Sequence, residues 1–338
     1  MNSEDNALFD NGAGENMPSG KLAPDALERV VLYATGARRS EVLIGPAVGE
    51  DASVIRWPEG KLLVFASDPI VGALRGAGRL LVRVNVNDIA SKGGEPAYIA
   101  VTIILPPAMG EAAVASIMRE IHEECLEAGI AIVGGHTEFN DFYERPVLSA
   151  ALIGTADRVL RAEDVKRGHA IYVTKHVGIE GMAILASDRP DLLKAVFSDG
   201  EISQMQGWME HASVLPESRL LRDYVSFMHD PTEGGFLGGL SEISRLTGLS
   251  SDTDRNAIPI HEFTLRAAKS LGFDPLRLVA SGSMIAVVPD DKTSFVEALF
   301  KDSHISITRV GRMGERGNKT PHEESREELW SILRRERL

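Results

Sequence analysis

The chain has 338 residues and 43% apolar content, enough for two domains of ordinary size, each with its own core. Its 36 Lys plus Arg against 49 Asp plus Glu leave a net charge of -13, which argues against an unspecific grip on nucleic acid or on an anionic membrane. A single cysteine, Cys125, excludes an internal disulfide and a multi-cysteine zinc site; with no apolar run of the ~18 residues a membrane span needs and no signal pattern at the start, a soluble cytoplasmic protein is expected.

Residues 1–20, rich in Asn, Gly, Glu and Ser, read as a mobile arm. An N-terminal domain is expected over 21–155. Ala23 to Tyr33 reads as a helix; Ala52 to Arg56 and Leu62 to Ala66 read as paired strands around a turn at Pro58-Glu59-Gly60. Arg79 to Ser91 has helical apolar spacing and is stopped by Lys92-Gly93-Gly94-Glu95-Pro96. Tyr98 to Leu105 is a strand, and Glu111 to Ala128 an amphipathic helix carrying Cys125 as a buried thiol. Ile130 to Val133 and Val147 to Gly154 are further strands. The mixture gives an α/β (α+β) class with a mixed rather than all-parallel sheet.

A second domain is expected over 156–314. It comprises strand Ala170 to Thr174, helix Ile179 to Ser187, two helices between Glu201 and Tyr224 broken around Pro216, and strand Phe227 to His229. Helix Glu233 to Leu246, strand Met284 to Val288, helix Thr293 to Phe300 and strand Ser306 to Val310 complete it. Residues 315–338 form a charged tail. Within it His322 to Arg337 reads as a helix with Leu329, Trp330, Ile332 and Leu333 on one side, suited to packing.

Five stretches place an acidic or amide side chain beside glycine or a strand-ending turn: Gly49-Glu50-Asp51-Ala52, Ser67-Asp68-Pro69, Asn87-Asp88-Ile89-Ala90, Gly134-Gly135-His136-Thr137-Glu138 and His229-Asp230-Pro231-Thr232-Glu233-Gly234-Gly235. Carboxylates at the ends of apolar runs suit hard, oxygen-ligated cations and the phosphates those cations carry. Asp51, Asp68, Asp88 and Asp230 are therefore candidate metal ligands, although an aspartate is equally suited to cap a helix or form a turn. The pairs Gly134-Gly135 and Gly234-Gly235 are expected to follow a strand or open the next element, where bare N–H groups can face phosphate oxygens; a simple turn is the other reading. Gly14 to Lys21 is not a P-loop, since five residues separate Gly14 from Gly20 and Leu22 replaces Ser/Thr, and no Gly-x-Gly-x-x-Gly opens a helix.

In this order the five motifs, with Ala280-Ser281-Gly282-Ser283, resemble the aminoimidazole-ribonucleotide synthetase (PurM-like) superfamily, and within it the HypE-like proteins related to the hydrogenase-maturation dehydratase. The match runs from about Lys21 to Gly314. The resemblance implies an N-terminal domain that forms a homodimer through its sheet, a C-terminal α/β domain, and ATP bound between them. It implies Mg²⁺ on the phosphates, held by Asp51, Asp88 and Asp230 with Asp68 close by. The motifs supply a nucleotide-contacting set of Lys21, Asn87, Gly134, Gly135, Thr137, Glu138, Gly234 and Gly235.

Two departures from the family pattern qualify that transfer. The dehydratase carries its substrate on a C-terminal cysteine, whereas this sequence ends Arg335-Glu336-Arg337-Leu338, so self-modification is not expected. His136 stands where relatives have Asp or Glu; it is the candidate catalytic residue, suited to touch phosphate, to carry a proton or to make a structural contact. Selenophosphate synthetase relatives share Gly-Gly-His, but their reactive N-terminal Cys and nearby Lys are not reproduced together, leaving Lys21 as a lysine able to reach phosphate.

The expected function is Mg-dependent, ATP-driven phosphorylation and so activation of a carbonyl or amide-type acceptor. The alternatives are a kinase of the thiamine-phosphate type and a non-catalytic ATP-binding accessory that engages a maturation partner protein.

Overall fold

The computed structural model describes residues 19–48, 52–71, 76–316 and 327–335. They divide into two compact units, one ending at Asp157 and the other beginning at Arg158, with Ala90–Gly93 belonging to the second. Gly49, Glu50 and Asp51, residues 1–18 of the arm, and 317–326 and 336–338 of the tail lie outside the described residues.

The first unit is built on a mixed sheet. Its strands are β1 (Gly20–Lys21), β4 (Leu62–Ala66), β5 (Pro69–Val71), β6 (Glu95–Leu105), β7 (Ala131–Phe139) and β8 (Val147–Ala156), with β2 (Val42–Ile44) and β3 (Val54–Ile55) forming a separate small pair. The order is β1-β7-β6-β8-β4 with β5 also on β8; β6 and β7 run parallel and the other pairs antiparallel. Helices α1 (Pro24–Val30), α2 (Ala77–Ser91) and α3 (Gly110–Ala128) accompany it.

The sheet has two unlike faces. Along β8 the residues Leu148, Ala150, Leu152, Gly154 and Ala156 are buried, while Val147, Ser149, Ala151, Ile153 and Thr155 alternate with them half-exposed. Helices pack the buried side: α3 contacts β6 and β7, and Ile89 of α2 lies so near Gly154 that no Cβ would fit there. Cys125 of α3 has no solvent exposure, and burial pushes its thiol pKa up. The other side carries no helix: Val42, Ile55 and Trp57 cover it around Tyr98 and Ile153, the rest is open, and edge strand β4 presents Leu63 at 56% and Phe65 at 61% exposure.

Two sequence expectations are corrected here. The strand around Val54 pairs with β2, and Leu62–Ala66 pairs with Leu152–Ala156 of β8, so the expected hairpin around Pro58 does not form. Both strands are apolar enough to pair elsewhere, and the short turn alone does not fix register. Gly134 and Gly135 lie inside β7, which runs six residues past its predicted end, instead of in a loop after it. Only a glycine fits at 135, where φ is +153 and a Cβ would run into the Val101 carbonyl of the neighbouring strand.

The second unit holds a five-stranded antiparallel sheet: β9 (Ala170–Thr174), β10 (Phe227–His229), β11 (Leu249–Thr253), β12 (Ile285–Val288) and β13 (Ile307–Arg316), ordered β10-β12-β9-β13-β11. Its helices are α4 (Ile179–Asp188), α5 (Pro190–Leu193), α6 (Asp199–Gln206), α7 (Leu215–Leu221), α8 (Gly235–Thr247), α9 (Glu262–Leu271), α10 (Thr293–Asp302) and α11 (Leu329–Leu333). Phe236, Leu237, Leu240 and Ile243 of α8 pack on Ile171, Val173, Ile285 and Val287 of the sheet. A second core gathers α4, α6 and α9 around Trp208, and takes in Leu329 and Ile332 of α11. Pro216 sits in the first turn of α7, so the break falls just before it, where proline starts a helix at no cost in hydrogen bonds. Strand β11 and helix α9 were not predicted. Leu249–Thr253 is mostly polar, and α9 interleaves its buried Phe263, Ala267 and Ala268 with charged residues. In the described tail, Glu315 and Arg316 end β13, and the one helix is the five-residue α11.

Candidate functional site

On the first unit, the open face of β7 carries the densest polar group. His136 pairs with Thr102 of β6, and Thr102 with Ser149 of β8, which in turn pairs with Pro69 of β5. One ladder row thus leads from His136 to the residue beside Asp68, three strand spacings or about 14 Å away. His136 Nε2 lies 3.0 Å from Glu138 Oε2, and Asn140 Nδ2 donates to Glu138 Oε1 at 3.2 Å. The His136 bond, followed by the Asn140 bond, holds the Glu138 carboxyl below its usual range, and Lys21 adds its charge. Lys21 is placed by β1, where it lies opposite Glu138.

Asp68 is anchored through its backbone. Its N–H donates to Asn85 Oδ1 at 2.9 Å, and Asn85 Nδ2 donates back to the Asp68 carbonyl at 3.3 Å and to Leu81 O at 2.8 Å. These bonds leave the Asp68 carboxylate available, and Asp88 follows Asn85 one helical turn later on α2. Asn85 was not among the predicted residues, although its position three before Asp88 on a helix was readable.

Other predicted residues stand apart from this group. Thr137 is 6% exposed and faces the helix-covered side, so its side chain is not brought beside His136. Asn87 is fully buried.

On the second unit, β10 runs into Asp230, which is 6% exposed, and the loop ends at the start of α8. Gly234 (φ +79) and Gly235 (φ +64) turn the chain left-handedly, and a Cβ on Gly235 would stand 2.6 Å from Leu278 O and 2.7 Å from Leu276 O. Here the glycine pair opens an element, as its sequence suggested. The Gly234 N–H donates to Glu327 Oε2 at 2.7 Å, a contact that sequence reasoning missed because 93 residues separate the partners.

A second unpredicted feature is the turn from β9 into α4. Lys175 (φ +53) is the one non-glycine residue with positive φ among the described residues. Its Nζ donates to His211 O, Ser213 O and Glu217 Oε1, each at 2.8 Å. Next to it His176 packs against Trp208 and His261, with ring centroids 4.9 and 5.2 Å away, and burial lowers its pKa to about 4.

Among the described residues no three His, Cys, Asp or Glu side chains form a ready metal cage, and no helix is long and apolar enough to cross a membrane. Asp68 and Asp88 of the first unit, and separately Asp230 of the second, are nevertheless carboxylates, the chemistry of a hard cation.

Two family models match the chain: the AIR synthase related protein N-terminal domain over residues 49–156, and its C-terminal domain over 166–323. A Methanocaldococcus jannaschii protein named for hydrogenase expression and formation is 29% identical over 290 residues, 83% of this chain and 84% of its own. The carbamoyl dehydratase HypE of Rhizobium leguminosarum bv. viciae is 27% identical over 261 residues, 74% of this chain and 72% of its own. Among solved structures, the hydrogenase maturation protein HypE in complex with ATP has a TM-score of 0.71 at 20% identity, covering 88% of this chain and 87% of that one, which is a likeness of fold. With both of its domains matched in order over most of its length, the chain belongs to the AIR synthase related protein family and is a PurM-like, HypE-like member of it.

Proposed function

We propose that this protein is a Mg-dependent, ATP-binding enzyme that phosphorylates, and so activates, a carbonyl or amide-type acceptor. The observation that carries the reading is the open face of β7, where His136 and Glu138 form a hydrogen-bonded pair beside Gly134, on the ladder row that leads across the sheet to Pro69 next to Asp68. The ATP named in the solved HypE complex supports the choice of nucleotide. Asp68 and Asp88 of the first unit would hold Mg²⁺, with Asp51 added from the sequence motif; Asp230 is the second unit's own candidate ligand. The bound metal and nucleotide would supply charge neutralisation on the transferring phosphoryl group.

The chain's own residues divide the remaining work. Glu138 holds the His136 ring by Nε2, so that the imidazole can take or give a proton while its partner stays ionised. Gly134 lets phosphate oxygens approach its backbone, and Lys21 adds a positive charge; in the second unit the Gly235 N–H is held by Thr232 O, so Gly234, whose N–H now meets Glu327, is the one of that pair that can be offered to an anion. Cys125, the one thiol of these 338 residues, is fully buried and so is not placed to carry a substrate.

The half-exposed open face, with Leu63 and Phe65 on its edge, fits a second copy of the chain, so the working species is a homodimer. Calorimetric titration with a non-hydrolysable ATP analogue, with and without Mg²⁺, tests the reading. Metal-dependent binding is expected, and absence of binding under both conditions would overturn it.

A further inference from the structure

The second unit contains an anion seat that is already filled, by the chain itself. Glu327 accepts the Gly234 N–H on Oε2 at 2.7 Å, and on Oε1 it accepts the Val279 N–H at 3.1 Å and the Leu329 N–H at 2.8 Å. Two of these donors come from segments 93 and 48 residues away, one at the start of the 13-residue helix α8. Amides converging on one carboxylate at a helix N-terminus are the arrangement that receives a phosphoryl group.

The segment bearing Glu327 is docked at its other end by ordinary packing. Leu329 and Ile332 enter the core around α4, Arg189 Nη1 donates to Leu333 O at 3.0 Å and Arg335 O at 2.8 Å, and Trp330 Nε1 donates to Glu233 Oε1 at 3.2 Å.

The seat itself is crowded with negative charge. Glu180 is 7% exposed, its Oε2 has no hydrogen-bond partner, and Glu233 and Glu327 both act on it electrostatically. Burial pushes the Glu327 carboxyl up in pKa, against the amide bonds that pull it down, and Glu233 adds to the rise. Three carboxylates around one amide seat repel each other, so the polar end of the tail is its weak point. A phosphoryl group arriving with a cation would take over the amides, release Glu327 and bring positive charge to the remaining Glu180 and Glu233.

We propose that the Gly234–Val279 amide seat is a phosphoryl-binding site latched by the C-terminal segment, with Glu327 standing in for the anion of the ligand. The proposal rests on the nucleotide reading given above, which it deepens by making the tail a competitor for the same loop.

Hydrogen exchange of the full chain, followed at the Leu329–Leu333 amides with and without Mg²⁺ and a non-hydrolysable ATP analogue, tests it. The expected result is faster exchange of these amides in the bound protein, and about tenfold tighter analogue binding by Glu327→Ala. The shape-preserving Glu327→Gln should shift affinity the same way by a smaller factor. Equal affinity in all three proteins, with the tail equally protected, would overturn the latch while leaving the nucleotide reading intact. If the analogue binds none of them, the nucleotide reading fails and magnesium pyrophosphate decides the latch: loosening of the wild-type tail upholds it, and an unchanged tail ends it.

Discussion

His136 and Glu138 are two residues apart on one strand, and their side chains meet at 3.0 Å on the sheet face that carries no helix. A strand places i and i+2 on the same side, so this contact is a local consequence of β7 continuing through the glycine pair. If His136 moves a proton, His136→Asn lowers turnover by about a hundredfold or more while analogue affinity stays within about threefold. Steady-state ATP consumption beside calorimetric binding separates the two effects. A parallel loss of both would make His136 a binding contact instead.

Asp88→Asn should weaken Mg-dependent analogue binding by about tenfold or more, because it removes a charge from a hard-cation donor set. The mass measured by light scattering should not change, since Asp88 lies on α2 and not on the open sheet face. Affinity equal to wild type would remove Asp88 from the metal site.

The two glycine pairs should respond differently to a methyl group. Gly235→Ala forces a left-handed backbone on alanine and a Cβ to within 2.6 Å of Leu278 O, so a loss of about 2–4 kcal/mol in unfolding free energy is expected. Gly134→Ala meets nothing within 4 Å and should cost under about 1 kcal/mol. Chemical denaturation gives both values, and weakened analogue binding in Gly134→Ala alone would mark a backbone that approaches phosphate.

His176 predicts an acid-sensitive fold. Burial first, then the positive charges of His261, Lys175 and His211, lower its pKa from 6.5 to about 4, against a backbone bond at Val177 that raises it. The folded protein therefore binds fewer protons here than the unfolded chain. The stability it contributes is complete above pH 6.5 and is lost as pH falls towards 4, a span worth on the order of 3 kcal/mol. Unfolding curves of His176→Phe between pH 7 and 4 should lack that part of the slope.

Much of this arrangement was legible in the sequence because its signals are local. The α3 helix and strand β9 were readable from apolar period, and the Gly234–Gly235 turn from its glycines. The long-range partners were not. Leu62–Ala66 was expected to pair with its nearest apolar neighbour, but β8 offers a longer row of partners. Thr137 was grouped with His136 by adjacency, yet alternation along β7 sends the two to opposite faces. Glu327 was one acid in a charged tail until folding carried it to Gly234.

Cys125 has a further consequence. A thiol with no solvent access leaves the native surface blank to maleimide reagents, so one cysteine introduced at an exposed position, such as Phe142 at 90% exposure, is labelled alone with nothing first removed. The natural sequence is thus already a background for attaching a spectroscopic probe wherever motion is to be followed.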